Sequence, residues 1–224
     1  MGSRQIPRNK KPYGSILTTS GFGVVKKDFE PIGLLVDSVS MGRPKKFDRE
    51  SVLEKALPVF WRCGFADASL HELEQATGVN KSGLYSEFKD KEDLFVQSLQ
   101  YYLDKPEPTA LLTAEPLGWN NIERFLKAGS RNIEGPTGCF AVNSMRESAI
   151  LPPVAVDIIT RERSKMKQLI AKNIEVERPK INAGFLAELV LTFFTGLSME
   201  YNVSSSRAPA LRKVNKLMSI IRTL

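Results

Sequence analysis

Histidine is nearly absent from this chain: its 224 residues include one, His71, together with two cysteines, Cys63 and Cys139. Zinc hydrolases and Ser-His-Asp hydrolases need histidines in concert with carboxylates or cysteines, so a lone histidine argues against both. No metal site is expected. Two cysteines cannot build a disulfide framework, and a reducing surrounding is the default. No uninterrupted apolar run precedes a small-residue cleavage site between Met1 and Ser40, so no secretory signal is expected. The most apolar stretch, Ala183 to Met199, contains Glu188 and Thr192 and falls short of the roughly 18 residues of a membrane helix. These absences predict a soluble, cytoplasmic protein with no membrane partner. Nor do His, Cys and carboxylate residues stand at catalytic spacing, which disfavours an enzyme and implies no cofactor.

What is present is ordinary for a globular chain, 42% hydrophobic and 25% charged, which excludes disorder throughout, collagen and a coiled-coil rod. At roughly 150 residues per domain the length allows one domain or two small ones. A net charge of +7 suggests an anionic partner, but between Met41 and Asp104 eleven acids outnumber nine bases. A claim of nucleic-acid binding must therefore rest on where the charges sit.

Residues 1–40 are rich in Gly, Ser and Lys without a helical period and read as a flexible extension. From Asp48 onward helical signals are dense. Asp48 caps a helix whose apolar positions Val52, Leu53, Ala56, Leu57, Phe60 and Trp61 recur at three and four; Pro58 should kink it and Gly64 end it. Ser69, with Glu72 three residues on, opens a short second helix with Leu70, Leu73 and Ala76 inward. Gly78 closes it, Val79 plugs the turn, Asn80 caps a third helix through Phe88, and Asp90 a fourth to Leu103. Lys105 to Pro116 reads as a connection. Helical periods resume over Trp119–Ile133, Cys139–Ile150, Pro153–Ile174, Asn182–Val203 and Ala208–Leu224, with breakers between them at Gly135-Pro136, Pro152-Pro153, Pro179 and Ser204 to Ser206. The fold class is all-α.

Two helices of about eight residues joined by a tight glycine turn have the geometry of a helix-turn-helix. Leu70, Leu73, Ala76, Val79, Leu84 and Phe88 would form its small core. Ser82 and Ser86 would face outward, flanked by Lys81 and Tyr85, on a face small enough to enter a major groove about 12 Å wide.

These residues resemble the TetR family of bacterial transcriptional regulators over roughly Met41 to Leu103. The likeness lies in an arm, Gly42-Arg43-Pro44-Lys45-Lys46, and in ALPVFWRCGFADASLHELEQATGVNKSGLYSEFKDKEDLF, with Phe60, Gly64, Ala76, Gly78, Val79, Lys81, Leu84, Tyr85, Phe88, Lys91, Glu92 and Leu94 at family-typical offsets. The resemblance implies a helix-turn-helix DNA-binding domain over 41–90 and a helical ligand-binding and dimerisation domain over 91–224. It implies that Lys81 and Tyr85 contact phosphates and that Asn80, Ser82, Gly83 and Ser86 lie on the reading helix, the last three approaching bases. Ser69, His71 and Lys91 would meet the DNA backbone, and Arg43, Lys45 and Lys46 a minor groove. Ser86 and Glu87 depart from the aromatic and histidine many members carry; Glu87 near DNA would repel phosphate or accept from a cytosine amine. Gly138-Cys139 resembles a segment opening a helix in one branch of the family, so Cys139 is a candidate electrophile or oxidant sensor, a small packing residue being the alternative.

The last two helices carry more apolar surface than one small domain covers. Phe185, Leu189, Phe193, Phe194, Leu197, Leu211, Val214, Leu217 and Met218 are therefore expected to form a dimer interface, with a core within the chain as the alternative. The implied function is a homodimeric repressor of a pseudo-palindromic double-stranded operator, released when a small molecule enters a cavity lined by the helices from Trp119 to Val203 and the fourth helix swings. Its rivals are an enzyme on a helical bundle and a protein-interaction module.

Overall fold

A computed structural model of the chain describes residues 47–129, 137–203 and 208–224. The expected extension over 1–40, the arm residues Arg43, Lys45 and Lys46, and the breakers Gly135-Pro136 and Ser204 to Ser206 lie outside these residues. Ten α-helices and one 3-10 turn account for the described secondary structure, with no strand among the described residues: α1 Arg49–Asp67, α2 Leu70–Thr77, α3 Lys81–Glu87, α4 Lys91–Leu103, α5 Glu107–Thr113, α6 Trp119–Ala128, α7 Phe140–Ser144, a 3-10 turn Met145–Glu147, α8 Pro153–Glu175, α9 Ala183–Tyr201 and α10 Ala208–Ile221.

Local chemistry sets the boundaries. The Asp48 carboxylate accepts from Ser51 N–H at 2.9 Å and opens α1. Only Gly64 leaves helical φ/ψ within α1 (φ 86°, ψ −179°), so the helix proper stops there and resumes for one short turn, while Pro58 is accommodated within it. Lys105 to Pro116, expected as a connection, contains α5; Pro106 and Pro108 flank its start, where a missing N–H removes no intrahelical bond. The helix expected over Cys139–Ile150 is shorter: five residues of α7 pass into the 3-10 turn.

Two apolar clusters hold the chain together. The first gathers the inner faces of α1 to α4 with Phe140 and Ala141 of α7 and Ala155, Ile158 and Ile159 of α8. Phe60 and Phe65 meet Phe95 edge-on at 5.2 and 5.1 Å, and Trp61 meets Tyr102 at 5.0 Å. The second gathers α5, α6, the later part of α8, α9 and α10. Among the described residues, Leu94, Phe95 and Leu99 of α4, which follow the boundary expected at Asp90/Lys91, share one apolar cluster with residues of α1, α7 and α8.

The last helices divide their apolar residues differently from the expectation. Val214 is fully buried within the chain and Leu197 and Met218 nearly so, because one stripe of α10 (Ala210, Val214, Met218, Ile221) faces the chain's own core. Phe194 stacks on Phe125 at 5.0 Å. Val214, Leu197 and Met218 are thus core residues of the protomer, whereas Phe194 is a partly buried residue of the cavity wall. Phe185 and Leu189 are exposed, 57% and 46%, with partly buried Phe193 four residues further on. With 19 residues, α9 also reaches the length and hydropathy that could cross a membrane, contrary to the sequence expectation; the helix runs two residues past Met199. Its Glu188 is paired with Arg163 (2.7 Å) and Lys167 (2.9 Å) of α8, and α8 is its main packing partner.

Candidate nucleic-acid interface and its cavity

The pair α2–α3 is built by caps at both ends. Ser69 Oγ accepts from Glu72 N–H at 3.2 Å, and the Glu72 carboxylate accepts from Ser69 N–H at 3.0 Å, completing a capping box. The Ser69 backbone N–H and hydroxyl hold the Glu72 carboxyl below its ordinary range. Gly78 takes the left-handed conformation (φ 72°) and returns its N–H to Glu74 O, a conformation in which a Cβ would be strained. The Glu74 carboxylate accepts from Lys81 N–H, and Asn80 Oδ1 from Gly83 N–H at 2.9 Å. The Lys81 and Gly83 N–H groups of the first turn are thereby fixed by side chains (α3 is only seven residues long).

Beneath the pair lie Leu73 and Leu84, fully buried, with Phe88 and Val79 and partly buried Leu70. Ala76 is exposed instead of inward, and Thr77 takes the buried place: its hydroxyl donates to Leu73 O at 2.7 Å and accepts from Val79 N–H at 3.2 Å. Gly83 also turns inward, since a Cβ there would stand 2.6 Å from Val79 Cγ1. The missing side chain lets α3 sit tightly on the turn.

Lys81, Ser82, Tyr85 and Ser86 are exposed together on the outer face of α3, beside exposed Ser69 and His71 at the start of α2. The Lys81 ammonium lies 5.9 Å from the Tyr85 ring centroid. His71 Nε2 shares a 3.0 Å hydrogen bond with Gln75, and Ser86 Oγ donates to Gly83 O at 2.7 Å. Glu87 is not on this face: Arg49 donates to its carbonyl at 2.6 Å and faces its carboxylate at 3.6 Å. The expected repulsion of DNA by Glu87 is therefore neutralised from behind. Lys91 Nζ donates to Ala66 O at 3.0 Å and lies 5.1 Å from the Phe65 ring centroid, leaving further ammonium hydrogens for another acceptor. Among the described residues no cluster of three or more His, Cys, Asp or Glu could hold a metal ion.

A cavity of about 310 Å³ lies behind the reading head, walled by Trp61, Tyr102, Phe125, Cys139, Val142, Met166 and Phe194. Of the charged groups at its lining, Arg163 pairs with Glu188 and Glu162 with Lys165, while the Lys105 ammonium lies 5.6 Å from the Tyr101 ring centroid. A wider, more open hollow of about 600 Å³ between α4, α5 and α8 is bordered by Asp104, Lys105, Arg161 and Lys165. Cys139 stands at the N-cap of α7, the place expected to lower its pKa. The structure reverses that expectation: burial pushes the thiol up, although Tyr102 O–H donates to its sulfur at 3.5 Å. A short helix N-terminus offsets little of a burial penalty. Cys63 is half-buried against the first cluster, its thiol 3.9 Å from Glu72.

Comparison with known proteins bears on this geometry. The family description "bacterial regulatory proteins, tetR family" matches residues 52–97. The HTH-type transcriptional repressor ComR of Escherichia coli (strain K12) is 30% identical over 199 residues, covering 82% of this chain and 90% of ComR. BdcR, an HTH-type transcriptional repressor of the same organism, is 26% identical over 162 residues, covering 70% of this chain and 80% of BdcR. Among solved structures, a cysteine mutant of the TetR family transcriptional regulator CifR complexed with 26-bp double-strand operator DNA superimposes with a TM-score of 0.71 at 26% identity, covering 80% of this chain and 99% of that one.

Proposed function

The chain belongs to the TetR family of bacterial transcriptional regulators, and we propose that it is a homodimeric repressor whose α3 reads a pseudo-palindromic operator and whose cavity takes a neutral, partly aromatic effector. It is a DNA-binding regulator and not an enzyme. The observation that carries the reading is the outer face of α3, where Lys81, Ser82, Tyr85 and Ser86 stand exposed on a helix whose first turn is held by the side chains of Glu74 and Asn80. Lys81 and Tyr85 suit phosphates, and Ser82 and Ser86 suit base edges in a major groove. Ser69 and His71 at the head of α2, and Lys91 at the head of α4, border the same surface and suit the DNA backbone. Arg43, Lys45 and Lys46 complete the assignment as a minor-groove arm. Two copies are needed for two successive grooves, and exposed Phe185 and Leu189 on α9 offer the face to bring them together.

Aromatic walls support the effector class, with Arg163 and Glu162 at the lining already engaged by Glu188 and Lys165. Occupation of the cavity would favour a state in which α4 carries the heads out of register. Selection of duplexes from a random pool by the full chain tests the reading: enrichment of a two-fold site is expected, and Ser82→Ala or Ser86→Ala should relax selectivity at individual positions. Selection that returns no common sequence would refute a base-reading role for α3.

A further inference from the structure

Past Gly64, the first two amides of the resumed turn of α1 donate to one distant carboxylate. Phe65 N–H reaches Glu147 Oε2 at 2.6 Å and Ala66 N–H reaches Oε1 at 3.0 Å. A Cβ on Gly64 would stand 2.5 Å from Oε2, so the carboxylate occupies the space that the missing side chain leaves. Ala66 also accepts from Lys91 at 3.0 Å. The peptide that Glu147 grips is thus the joint between α1 and α4, the two helices that carry α2 and α3.

Glu147 ends the 3-10 turn that follows α7, and this segment borders the cavity through Val142 and Met145. At its other end it is tied to α9: Asn202 Nδ2 donates to Asn143 Oδ1 at 2.8 Å, and Asn143 Nδ2 donates back to Asn202 Oδ1 at 3.3 Å. One short segment therefore touches the cavity wall, the helix with the exposed apolar face and the joint of the reading head. From this we infer that Glu147 is the positioning residue through which the cavity sets the angle of the DNA-reading head, an inference that rests on the proposed function. Paired hydrogen bonds to a carboxylate weaken steeply with distance and angle. A side chain or ligand that pushes Val142 or Met145 outward therefore pulls these bonds apart and releases the α1 joint. That release turns α3 relative to α9.

The test uses the full chain, the duplex it selects from a random pool, and a tryptophan as cavity filler. Ala128→Trp, from the α6 wall, is the first filler; Val142→Trp is the second, should the first fail to fold. Each is combined with Glu147→Ala in a double-mutant cycle read as duplex affinity. Amide exchange at Phe65 and Ala66 is followed in the same variants. Expected are a filler penalty of about tenfold, within the range of allosteric couplings, a loss in Glu147→Ala alone, and a double variant no weaker than Glu147→Ala. Exchange at Phe65 and Ala66 should quicken in Glu147→Ala and in the filled protein. Penalties that multiply, or protection at those amides unchanged by filling, would overturn the latch while leaving DNA binding intact. Fillers without effect on affinity would overturn it as well. A wild-type chain that selects no duplex would overturn the proposed function itself and the latch with it.

Discussion

Asn80 separates two ways in which a residue of the reading helix can matter. Its Oδ1 accepts from Gly83 N–H at 2.9 Å and α3 has seven residues, far below the roughly 12–15 at which an isolated helix becomes even marginal in water. The first turn of α3 therefore depends on its acceptors. Asn80→Ala removes this one and leaves Glu74 holding only Lys81 N–H. Loss of such a cap costs about 1 kcal/mol, a factor of about five in the equilibrium between ordered and frayed states. For a chain of this size that corresponds to a fall in Tm of about 2–4 °C. Since α3 must be ordered to read DNA, duplex affinity should fall as well, in proportion to the ordered fraction lost and by at most that factor of about five. Asn80→Ser restores a cap acceptor while changing the groups offered to DNA. Thermal unfolding and duplex titration of both variants decide the matter: Ser should recover both quantities together. An Asn80→Ser variant with full Tm but the affinity of Asn80→Ala would refute the capping argument and make Asn80 a direct DNA contact.

Other consequences are equally open to measurement. Phe185→Asp or Leu189→Asp changes a side chain exposed in the protomer, so each chain should keep its fold while sedimentation shows monomers; dimers persisting in both would place the interface elsewhere. Burial raises the Tyr102 phenol well above its ordinary value of 10.0, with Cys139 beside it. The folded chain thus holds that proton more tightly than the unfolded one. The associated stability is complete below the unfolded value and is lost as pH climbs through the folded one. Tyr102→Phe should accordingly make the alkaline fall in stability shallower, and an unchanged profile would contradict the assignment. With its thiol pushed up by burial, Cys139 should react slowly with iodoacetamide at neutral pH and faster as pH rises; rapid labelling at neutral pH would restore it as a sensor.

The reading head was legible in the sequence because its signals are local. Asp48, Ser69, Asn80 and Asp90 each cap the helix they announce, and the apolar period of α1 names six residues that are all buried. Ala76 misled because α2 ends one residue later, so that Thr77, whose hydroxyl satisfies itself on Leu73 O, turns inward. The later helices were harder. An apolar helix such as α9 or α10 shows which residues avoid water, but not whether they do so against their own chain or another, and Val214 and Met218 chose their own. The Glu147 contact spans more than eighty residues and leaves no periodic trace; a glutamate after a helix looks like any exposed acid. Cys139 was placed correctly at a helix start, but the Tyr102 and aromatic packing that bury its thiol come from another element.

The central claim, that α3 presents a DNA-reading face and that two copies act together, is tested most directly by titrating the purified wild-type chain with its selected duplex over a series of salt concentrations. Log affinity should fall linearly with log salt, with a slope of about −0.9 for each phosphate neutralised, and saturation should come at an even number of chains per two-fold site. Lys81→Ala should make that slope shallower by about one. Binding that is indifferent to salt, or a slope unchanged by Lys81→Ala with one chain per duplex, would contradict the account.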